Sequence, residues 1–222
     1  MILIKKGKAP AAWVEYSSTP GVDYQAIPEL YDSLLKEQGY LCAYCMRRIP
    51  VRDRLDTDAF QVDKEERKWT KEDHRIEHFK PRELYPLLKL QYANMFVCCP
   101  GYIGGESHCD RRKGAMEMDL SPLRQEVINT ISYKSHDGTI LSTNENWNRE
   151  LNEVLNLNTP LLKLNRKSTL NGVISLLSAN GKSQWSNNVM NSVLEKWKSL
   201  DGDLQRKEYC GIVIWFLEKK IR

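Results

Sequence analysis

The 222 residues suffice for one large domain or two small ones; 41% hydrophobic content supplies a core and 28% charge keeps the surface solvated. The 33 Lys and Arg against 29 Asp and Glu leave a formal charge of +4, which permits a nucleic-acid partner without requiring one. No apolar run approaches the ~20 residues of a membrane helix, and the opening "MILIKKGKAP" has too short an apolar patch for a secretory signal. A cytoplasmic chain with no membrane partner and reduced thiols is therefore expected.

In chain order, residues 28–38, "PELYDSLLKEQ", read as a helix, with Pro28 in the first turn, Leu30, Leu34 and Leu35 on one face and Gly39 as the stop. Cys42-Ala-Tyr-Cys45 is a thiolate pair with a two-residue gap. Residues 52–73 are dense in charge and aperiodic, a surface loop or insertion. "HRIEHFKP", residues 74–81, holds two histidines, each with an acid beside it: Asp73-His74 and Glu77-His78. Residues 75–79 and 92–98 have the length and apolarity of strands, and "SHCDRRKGAMEM" opens a helix with Ser107 as its cap. Residues 131–142 read as a hairpin turning at Asp137-Gly138, with His136 a solvated turn residue. Helices follow at about 145–156, 160–179, 184–199 and 203–220. The last is nearly all apolar at its centre, which predicts burial, with Cys210 in the core. The tryptophans, Trp69 included, are expected in core or interface packing.

Six cysteines in a reducing compartment point to metal rather than disulfides. Cys42 and Cys45 offer two ligands to a tetrahedral zinc, and a second set of Cys98, Cys99 and Cys109 closes the site, with His108 a further candidate. Spacing alone leaves Cys98 and Cys99 open. A thioredoxin-like redox pair would need a βαβ context, and none surrounds Cys42. The sequence divides near residue 120, into a cysteine- and histidine-rich part (1–120) and a hairpin plus helical region (121–222) packed on it.

Metal-assisted phosphodiester cleavage needs a neutral imidazole as base, oxygen ligands for a hard cation, and cations to hold the phosphates. Glu77, His78, Asn94, Asp110 and Lys113 supply that set in order. With Pro81 three residues after His78, Asn94 sixteen after it, Cys99 five further on and "HCDRRKG" behind, the sequence resembles the HNH (ββα-metal) endonucleases. The resemblance implies an α+β, mostly helical fold built on a small zinc-stapled ββα-metal core with a helical C-terminal region. It implies His78 as base, with His74 a bystander or substrate contact. Glu77 and Asp110 would hold a catalytic Mg2+ or Mn2+. Asn94 would hold the loop or orient His78, and Arg111, Arg112 and Lys113 would grip the phosphate backbone. It selects Cys99 over Cys98, giving structural Zn2+ on Cys42, Cys45, Cys99 and Cys109. The sequence departs from the family pattern at Asp110, where Asn or His is usual. It departs again in the second knuckle, which has nine residues between its cysteines instead of two.

Taken whole, with "YLCAYCMRRI", "IEHFKP", "YANMFVCC", "HCDRRKG" and "LNLNTPLLKLNRK", the chain is similar to the nuclease subunits of Septu-type and retron-associated anti-phage systems. That similarity implies a gated toxin working beside an ABC/SMC-like ATPase. In the retron versions a reverse transcriptase and its reverse-transcribed DNA would join it. DNA is the favoured substrate and structured RNA such as tRNA the other. The C-terminal helix and residues 52–73 are the expected partner surfaces. The competing expectation is a zinc module that binds nucleic acid or its partner without catalysis.

Overall fold

The structure is a computed structural model that describes residues 1–49, 75–103, 105–178 and 185–221. The predicted 52–73 insertion, Asp73, His74 and Trp69 lie outside the described residues. The fold is mixed α+β, and among the described residues each sheet has two strands.

Helix α1 (Ala11–Ser17), not foreseen from the sequence, is anchored by Trp13, which is 1% exposed and donates its indole N–H to the Leu90 carbonyl at 3.2 Å. Helix α2 (Pro28–Glu37) begins at Pro28 and buries Leu30, Tyr31, Leu34 and Leu35 as the periodicity predicts. Beyond it the Gln38 amide donates to the Leu41 and Val97 carbonyls (2.7 and 2.8 Å) and accepts from Val97 N–H at 2.8 Å. One side chain thereby satisfies a strand edge that would otherwise be buried unpaired.

Strand β1 (Arg75–His78) pairs antiparallel with β2 (Met95–Cys98) in the register Glu77–Phe96 and His78–Met95. The second strand is shorter than predicted, because Tyr92–Asn94 form a 3-10 turn ahead of it. Between Cys99 and Cys109 lies a small hairpin, β3 (Tyr102–Ile103) and β4 (Glu106–Ser107). Helix α3 (Cys109–Lys113) follows with His108, not Ser107, before its first turn and no side-chain cap. Ser107 is occupied in β4, so strand pairing overrides its capping preference.

After the short helix α4 (Gln125–Asn129), strands β5 (Ile131–Tyr133) and β6 (Ile140–Ser142) form the expected hairpin with a longer turn than predicted. Lys134 N–H still reaches the Thr139 carbonyl at 2.9 Å, and Asp137 accepts from Thr139 N–H at 3.0 Å. The His136 side chain is 76% exposed there, as a solvated turn residue should be. Helix α5 (Glu145–Arg149), capped by Asn144, runs into a π-helical turn (Glu150–Val154). Helices α6 (Pro160–Ser178), α7 (Asn187–Lys198, capped by Ser186) and α8 (Cys210–Ile221) complete the chain.

The last helix starts seven residues later than predicted, after Leu204 and Tyr209 take positive φ. It buries Cys210, Ile212, Val213, Phe216 and Leu217, as its apolar centre predicts. The two predicted parts share one hydrophobic core, from Met1 and Trp13 through Phe96 to Leu217. Backbone bonds cross the expected boundary repeatedly: Cys109 N–H to Leu155 O (2.8 Å), Tyr209 N–H to Met46 O (3.1 Å), Ile4 N–H to Pro122 O (2.9 Å). Among the described residues no helix is long and apolar enough to cross a membrane.

Candidate active site and metal centre

The turn after Cys42 is tied by Cys42 N–H to Arg47 O (2.8 Å) and Met46 N–H to Cys42 O (3.1 Å), with Met46 at φ 64. It docks on β2 through Ala43 N–H to Val97 O at 3.1 Å. The end of β2 brings up Cys99 and the start of α3 brings up Cys109. The four thiols of Cys42, Cys45, Cys99 and Cys109 are buried and lie within 4.8 Å of one another. Cys42 Sγ is 3.8 Å from Cys109 Sγ, and Cys45 Sγ is 3.7 Å from Cys99 Sγ. A tetrahedron with Zn–S near 2.3 Å has edges of about 3.8 Å. These separations are far beyond a disulfide, and every cysteine is free. The donor set therefore fits a metal such as zinc.

Cys98, the rejected neighbour, is buried outside this set, with its thiol pushed up by burial. Burial opposes ionisation of Cys42 as well, but hydrogen bonds from the neighbouring thiols, Cys109 first, outweigh it and hold the thiol well below its ordinary value. His108 is buried with Nδ1 3.1 Å from Cys109 Sγ and 3.9 Å from Cys99 Sγ, a neighbour of the thiol group rather than one of the four.

Glu77, His78 and Asp110 line a cleft of about 460 Å³, with Arg75, Arg82 and Lys89 on its walls. The spacing of α3 explains part of this. Asp110 and Lys113 are three residues apart on one helix face, and both turn to β1. Arg75 Nε meets Asp110 Oδ2 at 2.6 Å, and Lys113 Nζ meets Glu77 Oε1 at 2.9 Å. Lys113 also donates to the His78 carbonyl at 3.1 Å, and Tyr44 from the cysteine turn donates to Glu77 Oε1 at 2.9 Å. Lys113, expected on the surface holding substrate, is instead 1% exposed and committed to Glu77. Arg111 and Arg112 do face solvent.

Burial, then the hydrogen bond with Asp110, pushes the Glu77 carboxyl up to about 8 against the pull of Lys113. Burial lowers His78 to about 4, so the imidazole is neutral near pH 7. Its Nε2 lies 2.9 Å from the Lys89 carbonyl. A carbonyl only accepts, so Nε2 carries the hydrogen and Nδ1 keeps the lone pair. Tyr24 packs edge-on against the ring, with centroids 4.6 Å apart. The Asn94 side chain makes its hydrogen bonds elsewhere. Its amide accepts from Lys80 N–H (2.8 Å) and donates to the Lys80 and Leu88 carbonyls (3.0 and 3.2 Å). It holds the loop whose Lys89 carbonyl fixes His78, a positioning role.

Tyr44, Tyr24 and Arg75 were missed by the sequence reading. Arg75 had a signal, since it lies two residues before Glu77 on one strand face. Tyr44 lies inside the Cys-x-x-Cys turn, where only the thiols attract notice. Tyr24 is in a loop with no periodicity to place it. No family model matches the chain, and no curated protein matches it.

Proposed function

We propose that the chain is an HNH-type endonuclease dependent on a divalent metal, the cutting subunit of an anti-phage defence complex with an ABC/SMC-like ATPase. One observation carries the catalytic part: Glu77, His78 and Asp110 line one cleft, and the imidazole there is neutral with Nδ1 left as its basic nitrogen. The defence setting and its partners rest on the sequence resemblance alone.

In this reading Glu77 and Asp110, whose carboxylates now meet Lys113 and Arg75, would hold Mg2+ or Mn2+, hard cations suited to carboxylate oxygen. The ion would supply polarisation of the scissile phosphate and stabilisation of the leaving oxygen. His78 Nδ1 removes a proton from water as the water oxygen bonds to phosphorus and the bond to the leaving oxygen breaks. The Lys89 carbonyl holds the ring in the required tautomer through the hydrogen on Nε2. Lys113 balances one carboxylate charge and ties α3 to β1. Arg82, with Arg75 and Lys89 once they exchange Asp110 and Asp23 for substrate, would meet phosphate oxygens, contacts that position a strand without reading its sequence. The thiol cluster joins the end of β2 to the start of α3.

The test is His78→Ala. Cleavage of plasmid and of structured RNA should fall by about 100- to 10,000-fold, with zinc content unchanged by elemental analysis. Undiminished cleavage with zinc retained would leave a binding module in place of the enzyme. Protein washed with EDTA should regain cleavage on addition of Mg2+ or Mn2+.

A further inference from the structure

The excursion between Cys99 and Cys109 contributes no thiolate, yet it is built tightly against α3. His108 N–H closes its base on the Gly101 carbonyl at 2.8 Å. Gly101 sits at φ 71, and a Cβ there would lie 2.4 Å from the His108 carbonyl oxygen and 2.6 Å from Arg111 Cβ. Only glycine allows this approach. It fixes the next residue, Tyr102, beside Arg111, whose guanidinium carbon is 4.9 Å from the centre of the tyrosine ring. Tyr102 remains 39% exposed, and Arg111 and Arg112 face solvent with it. Arg111 directly follows Asp110, which lines the cleft.

A hairpin that presents a large ring to water beside a planar cation does not serve the core. A grip on phosphates alone would need the cations and not the ring. Aromatic and guanidinium planes together offer a surface on which a base can stack, whatever its identity. Bases in a continuous duplex are already stacked on their neighbours, so only an unpaired base can use such a surface.

We propose that Tyr102 and Arg111 form a stacking subsite for an unpaired nucleobase, so that the preferred substrate is a single-stranded or looped segment. This deepens the endonuclease reading and rests on it. DNA and RNA share the chemistry, since every base has a π-face.

The test uses full-length protein carrying His78→Ala, so that nothing is cut, and end-labelled oligonucleotides read by fluorescence anisotropy. The probes are single-stranded and duplex DNA and RNA of one sequence. Adding Tyr102→Leu should weaken single-strand binding by about 5- to 100-fold and duplex binding by less than about twofold. Tyr102→Trp should restore single-strand binding, a rescue that a merely structural role would not give. Zinc content and melting temperature report the folding of both variants, and the Trp variant decides if the Leu variant is damaged. Equal single-strand binding by the Tyr and Leu proteins overturns the subsite, and so does an equal loss on duplex. If the parent binds no oligonucleotide at all, the endonuclease reading falls as well. The stronger of the DNA and RNA arms identifies the strand that is held.

Discussion

Burial drives the two neighbouring residues of β1 in opposite directions. His78 falls to about 4 from an ordinary 6.5, and Glu77 rises to about 8 from an ordinary 4.5. For His78 the stability contributed is present above 6.5 and lost as pH falls through about 4. For Glu77 it is present below 4.5 and lost as pH rises through about 8. A cation bound by Glu77 must displace its proton below that value, so affinity rises with pH. The rise in melting temperature on adding Mn2+ should therefore be larger at pH 8 than at pH 6.5, and Glu77→Gln should remove the increment. Equal increments at the two pH values would remove Glu77 from the ligand set. The thiols allow a second prediction: Cys98→Ala keeps one zinc per chain and Cys99→Ala loses it, with the reverse result exchanging the ligand. At this scale the thiol cluster was legible in the sequence, Glu77, His78 and Asp110 come together in one cleft, and Lys113 is buried where an exposed cation was expected. "Arg-Arg-Lys" reads as one basic run, yet successive helical residues turn by about 100°, which sends Lys113 inward while Arg111 and Arg112 stay out.

Among the elements, long amphipathic segments were readable and short ones were not. Helices α2, α6 and α7 follow their apolar spacing, with α7 starting at its Ser186 cap. Strands β3 and β4 have two residues each, too few for any period to show. The start of α8 was misplaced because Leu204 and Tyr209 adopt positive φ, which no residue type at those positions announces. Between β1 and β2 the connecting loop depends on Asn94, whose three hydrogen bonds hold Lys80 and Leu88. Asn94→Ala leaves those groups without their partner. It should destabilise the fold by about 1–3 kcal/mol and lower kcat more than it raises KM, because the Lys89 carbonyl no longer fixes the imidazole. An unchanged kcat would separate the loop from catalysis.

For the whole molecule, the compositional break near residue 120 is not a boundary in space. The buried Glu150 carboxylate accepts from Asp119 N–H (3.0 Å) and Leu120 N–H (2.8 Å), and Arg48 N–H donates to Glu208 at 2.7 Å. Met1 buries its amino group against the Tyr133 hydroxyl, and desolvation lowers that amine to about 5. The sequence led us to expect the second part to pack on the first, but composition does not name the particular contacts, such as Cys109 with Leu155 or Met46 with Tyr209, through which it does so. The consequence is testable: a fragment of residues 1–120 should give no cooperative melt. Removing zinc from the full chain with a strong chelator should lower the melting of the helical half too, in one transition. Two separate transitions would show independent units.

The hairpin between Cys99 and Cys109 is closed at its root twice, by the thiol cluster and by the Gly101–His108 bond. Lengthening a loop whose ends are already fixed costs little, about 0.6 kcal/mol for each doubling. The tip near Gly105, at φ 87 with open space around it, is thus a graft point. Foreign peptide inserted there would alter the proposed base contact at Tyr102, while the cleft and its histidine stay as they are.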